Sequence, residues 1–224
     1  MSLNTNDLLA ILPFIIVVAW AILLLLAELV IPKERKGVMP VLAGIGLLLA
    51  LVAAVARVGG QTVAFNGMIV YDGFAVFLSV LFLGSGLAAV ALSYDYLKRM
   101  DVHHNEFYIL LLLSISGMLL MAMAADLILV FMALELLSIP LYVLAGFALP
   151  RQDSEEAALK YFLLGAFAGG FVVYGVALVF GATGSTALTR ITAAISAGSA
   201  NLDFLAVGAA LILVGFGFKV AAVP

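Results

Sequence analysis

Apolar residues fall into seven long runs separated by polar breaks: Leu8–Ile31, Val38–Ala56, Phe74–Leu92, Phe107–Ala124, Leu127–Leu149, Tyr161–Phe180 and Phe204–Val223. About 20 mostly apolar residues carry a helix across the hydrocarbon core. Runs this long are not the alternating segments of about 9–11 residues that build membrane β-barrels. The pattern therefore predicts an all-α polytopic membrane fold, a single transmembrane domain over residues 1–224. Only Ala125 and Asp126 separate the fourth and fifth spans, so these two should form an antiparallel hairpin. The stretches Val58–Gly73 and Ala182–Asp203, rich in Gly, Thr, Ser and Asn, read as external loops. Trp20, the one tryptophan, lies mid-span and reads as a packing residue.

Composition agrees with this pattern. The 224 residues are 66% hydrophobic and 10% charged, with a mean hydropathy of +1.29. A soluble domain is about 45–50% apolar and about 25% charged. Ten basic against thirteen acidic residues give a net charge of −3, which argues against a nucleic-acid partner. Cysteine is absent, so this chain has no disulfides, thiolate zinc sites or cysteine-ligated iron–sulfur clusters. It has no nucleotide-binding Gly-x-Gly-x-x-Gly or Walker motif either.

The loop charges order the spans. The first span carries Asp7 in place of a basic n-region and is too long for a signal peptide. Lys33, Arg35 and Lys36 follow it; Lys98 and Arg99 follow the third span; Arg151 and Lys160 flank the connection after the fifth. The opposite side receives Arg57 and Arg190, so seven basic residues face two. The positive-inside rule then places the N-terminus outside. Glu28 lies close enough to the end of the first span to reach the interface.

Two charges remain within apolar runs. Glu135 sits near the middle of the fifth span, and Lys219 lies in the last. An ionised side chain at a helix centre costs about 2.5–3.5 kcal/mol on insertion scales, and such residues mark ion or proton routes. Each is followed five residues later by proline, Pro140 and Pro224. A helical proline cannot donate to the carbonyl four residues earlier, so the carbonyls of Leu136 and Val220 are expected to lie open beside the charge. That arrangement resembles the broken helices of transporters. Burial disfavours the charged form of an acid or base, and mutual attraction favours it. A Glu–Lys pair whose separation changes can therefore take up and release a proton. The plainer alternatives are a buried acid that holds helices together and a lysine that snorkels to the interface.

Other features have simpler readings. Asp153 and Glu156 have the spacing of a capping box, and Glu156 with Lys160 makes a favourable i,i+4 pair. Gly165, Gly169 and Gly175 allow close helix packing, and Gly215 and Gly217 allow a close approach or bend before Lys219. His103 and His104 adjoin in a loop and read as solvated, with no metal site expected.

Three motifs together resemble a known family. The string Phe131-Met-Ala-Leu-Glu-Leu-Leu-Ser-Ile-Pro-Leu-Tyr-Val-Leu-Ala145 is similar to the fifth helix of subunit N of bacterial NADH:quinone oxidoreductase, respiratory complex I. The run Glu155–Gly165, continuing through Tyr174-Gly175 to Phe180-Gly-Ala-Thr-Gly184, resembles its sixth helix, and Gly215–Pro224 its seventh. The resemblance covers essentially the whole chain.

It implies a proton-translocating, antiporter-like membrane subunit that couples electron transfer from NADH to quinone to proton pumping. Glu135 and Lys219 match the family's coupling pair, and Glu156 and Lys160 match polar positions at the start of its sixth helix. Pro140 and Pro224 are the expected helix-breaking positions. The resemblance also implies that this chain binds no cofactor, with NADH, FMN, iron–sulfur clusters and quinone elsewhere in the complex. Its partners would be the lipid bilayer and other complex I membrane subunits, including the sister antiporter-like subunits, in a bacterial inner membrane.

Family members have about fourteen helices, including two inverted repeats. This chain stops before the Phe-His that usually follows Pro224, and so reads as an N-terminal portion unable to pump alone. Two rival readings are a subunit of a multisubunit cation/proton antiporter and a non-transporting membrane assembly subunit.

Overall fold

A computed structural model of the chain describes residues 5–30, 37–99, 105–148 and 150–222. Lys33, Arg35, Lys36, His103, His104 and Pro224 lie outside the described residues.

Among the described residues, helices occupy most of each of the seven apolar runs. The first run is divided: α1 (Thr5–Ala10) ends before α2 (Leu12–Val30) begins. Pro13 is the second residue of α2 and cannot donate to the carbonyl of Leu9. Arg57 replaces that missing donor, its guanidinium donating to the Leu9 carbonyl at 2.6 Å. Next come α3 (Met39–Val55), α4 (Gly73–Arg99), α5 (Glu106–Met123), α6 (Leu127–Ala145), α7 (Gln152–Thr183), α8 (Leu188–Ser196) and α9 (Leu202–Lys219). Among the described residues six helices are long and apolar enough to cross a membrane, namely α2, α4, α5, α6, α7 and α9, while α3 is a shorter apolar helix. Both α4 and α7 run beyond their apolar segments, carrying Lys98 and Arg99 at the end of one and Asp153 to Lys160 at the start of the other.

The first five helices share one large core that includes Val17, Leu47, Leu83, Leu112 and Leu119. Trp20 packs as expected: its indole donates to the Leu42 carbonyl at 2.8 Å and occupies the space a Cβ at Gly46 would need. The helices α5 and α6 form the anticipated antiparallel pair. A Cβ on Gly117 of α5 would fall 2.3 Å from the backbone nitrogen of Leu137 on α6. Gly175 of α7 lies equally close to α9, where a Cβ would meet the Gly208 carbonyl at 2.6 Å.

The two polar stretches are more ordered than loops. In the first, β1 (Thr62–Ala64) pairs antiparallel with β2 (Ile69–Tyr71), Val63 opposite Val70. The turn runs through Phe65, Asn66 and Gly67, all with positive φ. Asn-Gly suits such a turn because both residues tolerate left-handed backbone. Arg57 also bonds Thr62 Oγ1 at 3.0 Å and lies 5.3 Å from the Tyr71 ring centroid. Burial pushes the Tyr71 hydroxyl above its ordinary range, and the nearby Ser79 hydroxyl and Arg57 guanidinium offset this in part. The second stretch contains α8.

The α5–α6 turn is clasped between these two segments. Ala125 donates to the Met68 carbonyl at 2.8 Å, and Leu188 donates to the Ala125 carbonyl at 3.1 Å. Leu127 donates to the Thr186 carbonyl at 2.9 Å. Buried Asp126 caps α6 by accepting from the Ile128 amide at 2.9 Å, and accepts from Thr186 Oγ1 at 2.7 Å. Asp126→Ala leaves both donors unpaired and should cost about 2 kcal/mol. A lowered thermal midpoint of the purified protein in detergent checks this, and an unchanged midpoint would contradict it.

Candidate functional site

Three helices, α6, α7 and α9, converge on the two charges. Their antiparallel register follows from glycine contacts. On α7, Gly169 faces Glu135, Gly165 faces Tyr142, and Ala158 faces Gly146 at the end of α6. Gly215 of α9 packs against Ala168 and Val172 of α7. The glycines read from the sequence as packing residues thus leave room for the site's side chains. A Cβ at Gly169 would lie 2.9 Å from Glu135 Oε1, and one at Gly165 would overlap the Tyr142 hydroxyl.

Glu135 is half-buried on α6, and its Oε1 is buried without a hydrogen-bond partner. Lys219 is the last residue of α9 and is also half-buried. Its ammonium donates to Ser138 Oγ at 2.9 Å and Tyr142 Oη at 2.6 Å. With its nitrogen 5.2 Å from the Tyr142 ring centroid, the ammonium sits beyond the hydroxyl near the plane of the ring, so it binds the oxygen and not the ring face. Ser138 directs its own proton to the Leu134 carbonyl at 2.6 Å, leaving its oxygen lone pairs to the lysine. The structure therefore brings Lys219 to the helix that carries Glu135, but seats it one to two turns further along. The sequence reading passed over Ser138 and Tyr142, although their offsets of three and seven from Glu135 place them on its face of the helix.

Glu156 and Lys160 form an ion pair with each other, and both side chains are exposed. Lys160 precedes Gly169 by nine residues, about 14 Å along α7, so this pair stands apart from the Glu135 carboxyl. Around the lysine's berth, Tyr161 of α7 packs edge-on to Tyr142, with ring centroids 4.7 Å apart.

Several local expectations need correction. Pro140 does not break α6, which runs through it from Leu127 to Ala145. The α5 hydrogen bond at this level, from Ser114 Oγ, reaches the Leu137 carbonyl at 3.1 Å, one residue beyond the one Pro140 leaves unserved. Val220 is not inside a helix, because α9 ends at Lys219 and Ala221 is left-handed, with φ 52°. Ala222 then donates to the Gly217 carbonyl at 2.8 Å, closing the helix end. The capping box also does not form. Arg151 is the N-cap of α7 without a side-chain cap, and Asp153 lies inside the first turn, where an acid still favours the helix dipole.

This architecture defines a class: polytopic helical membrane proteins that keep an acid and a base between closely packed helices. Residues 124–224 match the family model described as NADH:quinone oxidoreductase/Mrp antiporter, TM. The part of the chain that carries Glu135 and Lys219 thus matches this antiporter-like membrane family.

It is 45% identical over 212 residues to NADH-quinone oxidoreductase subunit N 2 of Roseiflexus castenholzii, covering 93% of this chain and 43% of that protein. It is 46% identical over 222 residues to NADH-quinone oxidoreductase subunit N of Chloroflexus aggregans, covering 97% of this chain and 45% of that protein. A chain of respiratory complex I from Thermus thermophilus with bound aureothin superimposes with a TM-score of 0.77 at 36% identity, covering 95% of this chain and 44% of that one. The chain thus spans less than half the length of the relatives it matches.

Proposed function

We propose that the chain acts as part of a proton-translocating membrane subunit of NADH:quinone oxidoreductase. In this reading Glu135 and Lys219 are the central acid and base, and Glu156 and Lys160 serve the approach along α7. One observation carries it: an acid with an unpartnered buried oxygen and a lysine ammonium share one face of α6. A residue that only glued helices together would be expected to satisfy its hydrogen bonds.

The similarity to proteins named subunit N supports the choice of complex. NADH, FMN, iron–sulfur clusters and quinone then belong to other parts of it. The partners are the other membrane subunits, including sister antiporter-like subunits. The bias in loop charge supports an orientation with the N-terminus outside a bacterial inner membrane.

The family description also covers cation/proton antiporters, which sets the test. An affinity tag on the subunit in its native membrane should retrieve NADH-oxidising peripheral subunits. Retrieval of membrane subunits alone, without NADH oxidation, points to the antiporter reading.

A further inference from the structure

We propose that Ser138 and Tyr142 form a berth that holds the Lys219 ammonium apart from Glu135, giving the lysine two alternative seats on one face of α6. The proposal rests on the proton-translocating reading above and adds positioning residues to it. The berth is built for a cation. Ser138 gives its proton to the Leu134 carbonyl, so its oxygen can only accept from the lysine. Tyr142 offers its hydroxyl oxygen at 2.6 Å.

The tyrosine is itself located by its surroundings. Its hydroxyl rests over Gly165, where a Cβ would lie 2.2 Å away, and its ring is braced by Tyr161. The other seat is Glu135 Oε1, buried and without a hydrogen-bond partner three residues before Ser138, about 4.5 Å along the helix. Lysine has four rotatable side-chain torsions, and the offset is of the size that a change in them, with a small shift of α9, covers. Among the described residues the ionisable side chain in contact with the ammonium is Tyr142 of α6, with Tyr161 of α7 packed on its ring. While the lysine occupies the berth, the acid and base are separated; when it leaves, they pair. The two hydroxyls therefore set how much of the time the pair is open.

The test uses Ser138→Ala combined with Tyr142→Phe in the assembled complex. Both substitutions keep the packed shape. The Leu134 carbonyl keeps its helical amide partner, so assembly should survive. Infrared difference spectra recorded on NADH addition should contain a Glu135 carboxyl signal, assigned by its absence in Glu135→Gln. In the double variant the lysine has one seat left on α6. The Glu135 signal should be lost and protons moved per NADH should fall, while Ser138→Thr alone keeps both. Gly165→Ala, which displaces the Tyr142 hydroxyl without altering either berth residue, should reproduce the loss, as should Tyr142→Phe alone in weaker form. A double variant with the full signal and full pumping, alongside an inactive Glu135→Gln, overturns the berth and leaves the functional reading intact. Normal pumping by Glu135→Gln itself overturns both.

Discussion

Glu135→Gln should lower proton translocation by the assembled complex at least about tenfold, while leaving the amount of complex in the membrane unchanged. The amide has nearly the shape of the carboxyl, and its oxygen can occupy the space against Gly169 that Oε1 fills now. It cannot exchange a proton, and it cannot form an ion pair with Lys219. Assembly should therefore tolerate it, and transport should not. Proton uptake by reconstituted vesicles, normalised to the complex present, is the measurement. The opposite pattern, impaired assembly with normal transport per complex, would make Glu135 structural and support the assembly-subunit reading.

Gly117→Val should remove the assembled protein altogether. Unlike the space at Gly169, which borders the tip of a side chain, the space at Gly117 borders main chain. Its Cβ would lie 2.3 Å from Leu137 N, 2.6 Å from Leu137 Cα and 2.8 Å from the Leu136 carbonyl carbon. No rotamer relieves that overlap, so α5 and α6 must separate. Separation breaks the Ser114–Leu137 hydrogen bond and strips close packing from the longest shared seam of the two helices. Overpacking of this kind costs about 3 kcal/mol, a large share of the stability of an ordinary domain. Native gels of solubilised membranes should show the complex lost. Gly44→Ala is the control, because nothing lies within 4 Å of its Cβ. Complex at normal levels in Gly117→Val would mean that α5 and α6 do not pack as described.

The sequence made some features plain because the bilayer penalises them. An acid or base inside an apolar run is conspicuous, and Glu135 and Lys219 were found that way. Ser138 and Tyr142 were not, since a hydroxyl in a membrane helix ordinarily bonds its own backbone, as Ser79 and Ser116 do here. Only the register of α9 against α6 turns these two into lysine ligands, and register is a property of packing.

The freed-carbonyl argument applies at more than one proline. Pro140 leaves the Leu136 carbonyl without its helical donor although α6 runs on. The instance with a visible replacement is Pro13, whose vacated Leu9 carbonyl is taken by Arg57. The partner lies 48 residues away, beyond the reach of local pattern. The capping box failed for a related reason. Spacing alone does not fix where a helix starts, and the N-cap of α7 is Arg151, two residues earlier than Asp153.

The clasp at the α5–α6 turn has a mechanical consequence. It pins the start of α6 to Thr186 beyond the end of α7, and Asn201 at the start of α9 is tied to the Ala182 carbonyl at 3.0 Å. The three helices of the site are thus tied together at this end; at the other, α6 and α7 are joined through the Ser154–Ala145 hydrogen bond, and the end of α9 is held on α6 by the Lys219 contacts to Ser138 and Tyr142. Ser138 lies twelve residues from Asp126, about 18 Å down the lever, so a tilt of about 5° about the hinge displaces it by about 1.6 Å. That displacement is enough to break a lysine contact of 2.9 Å. A small rocking motion at the far ends of the helices could therefore eject the lysine from its berth while the hinge itself stays still.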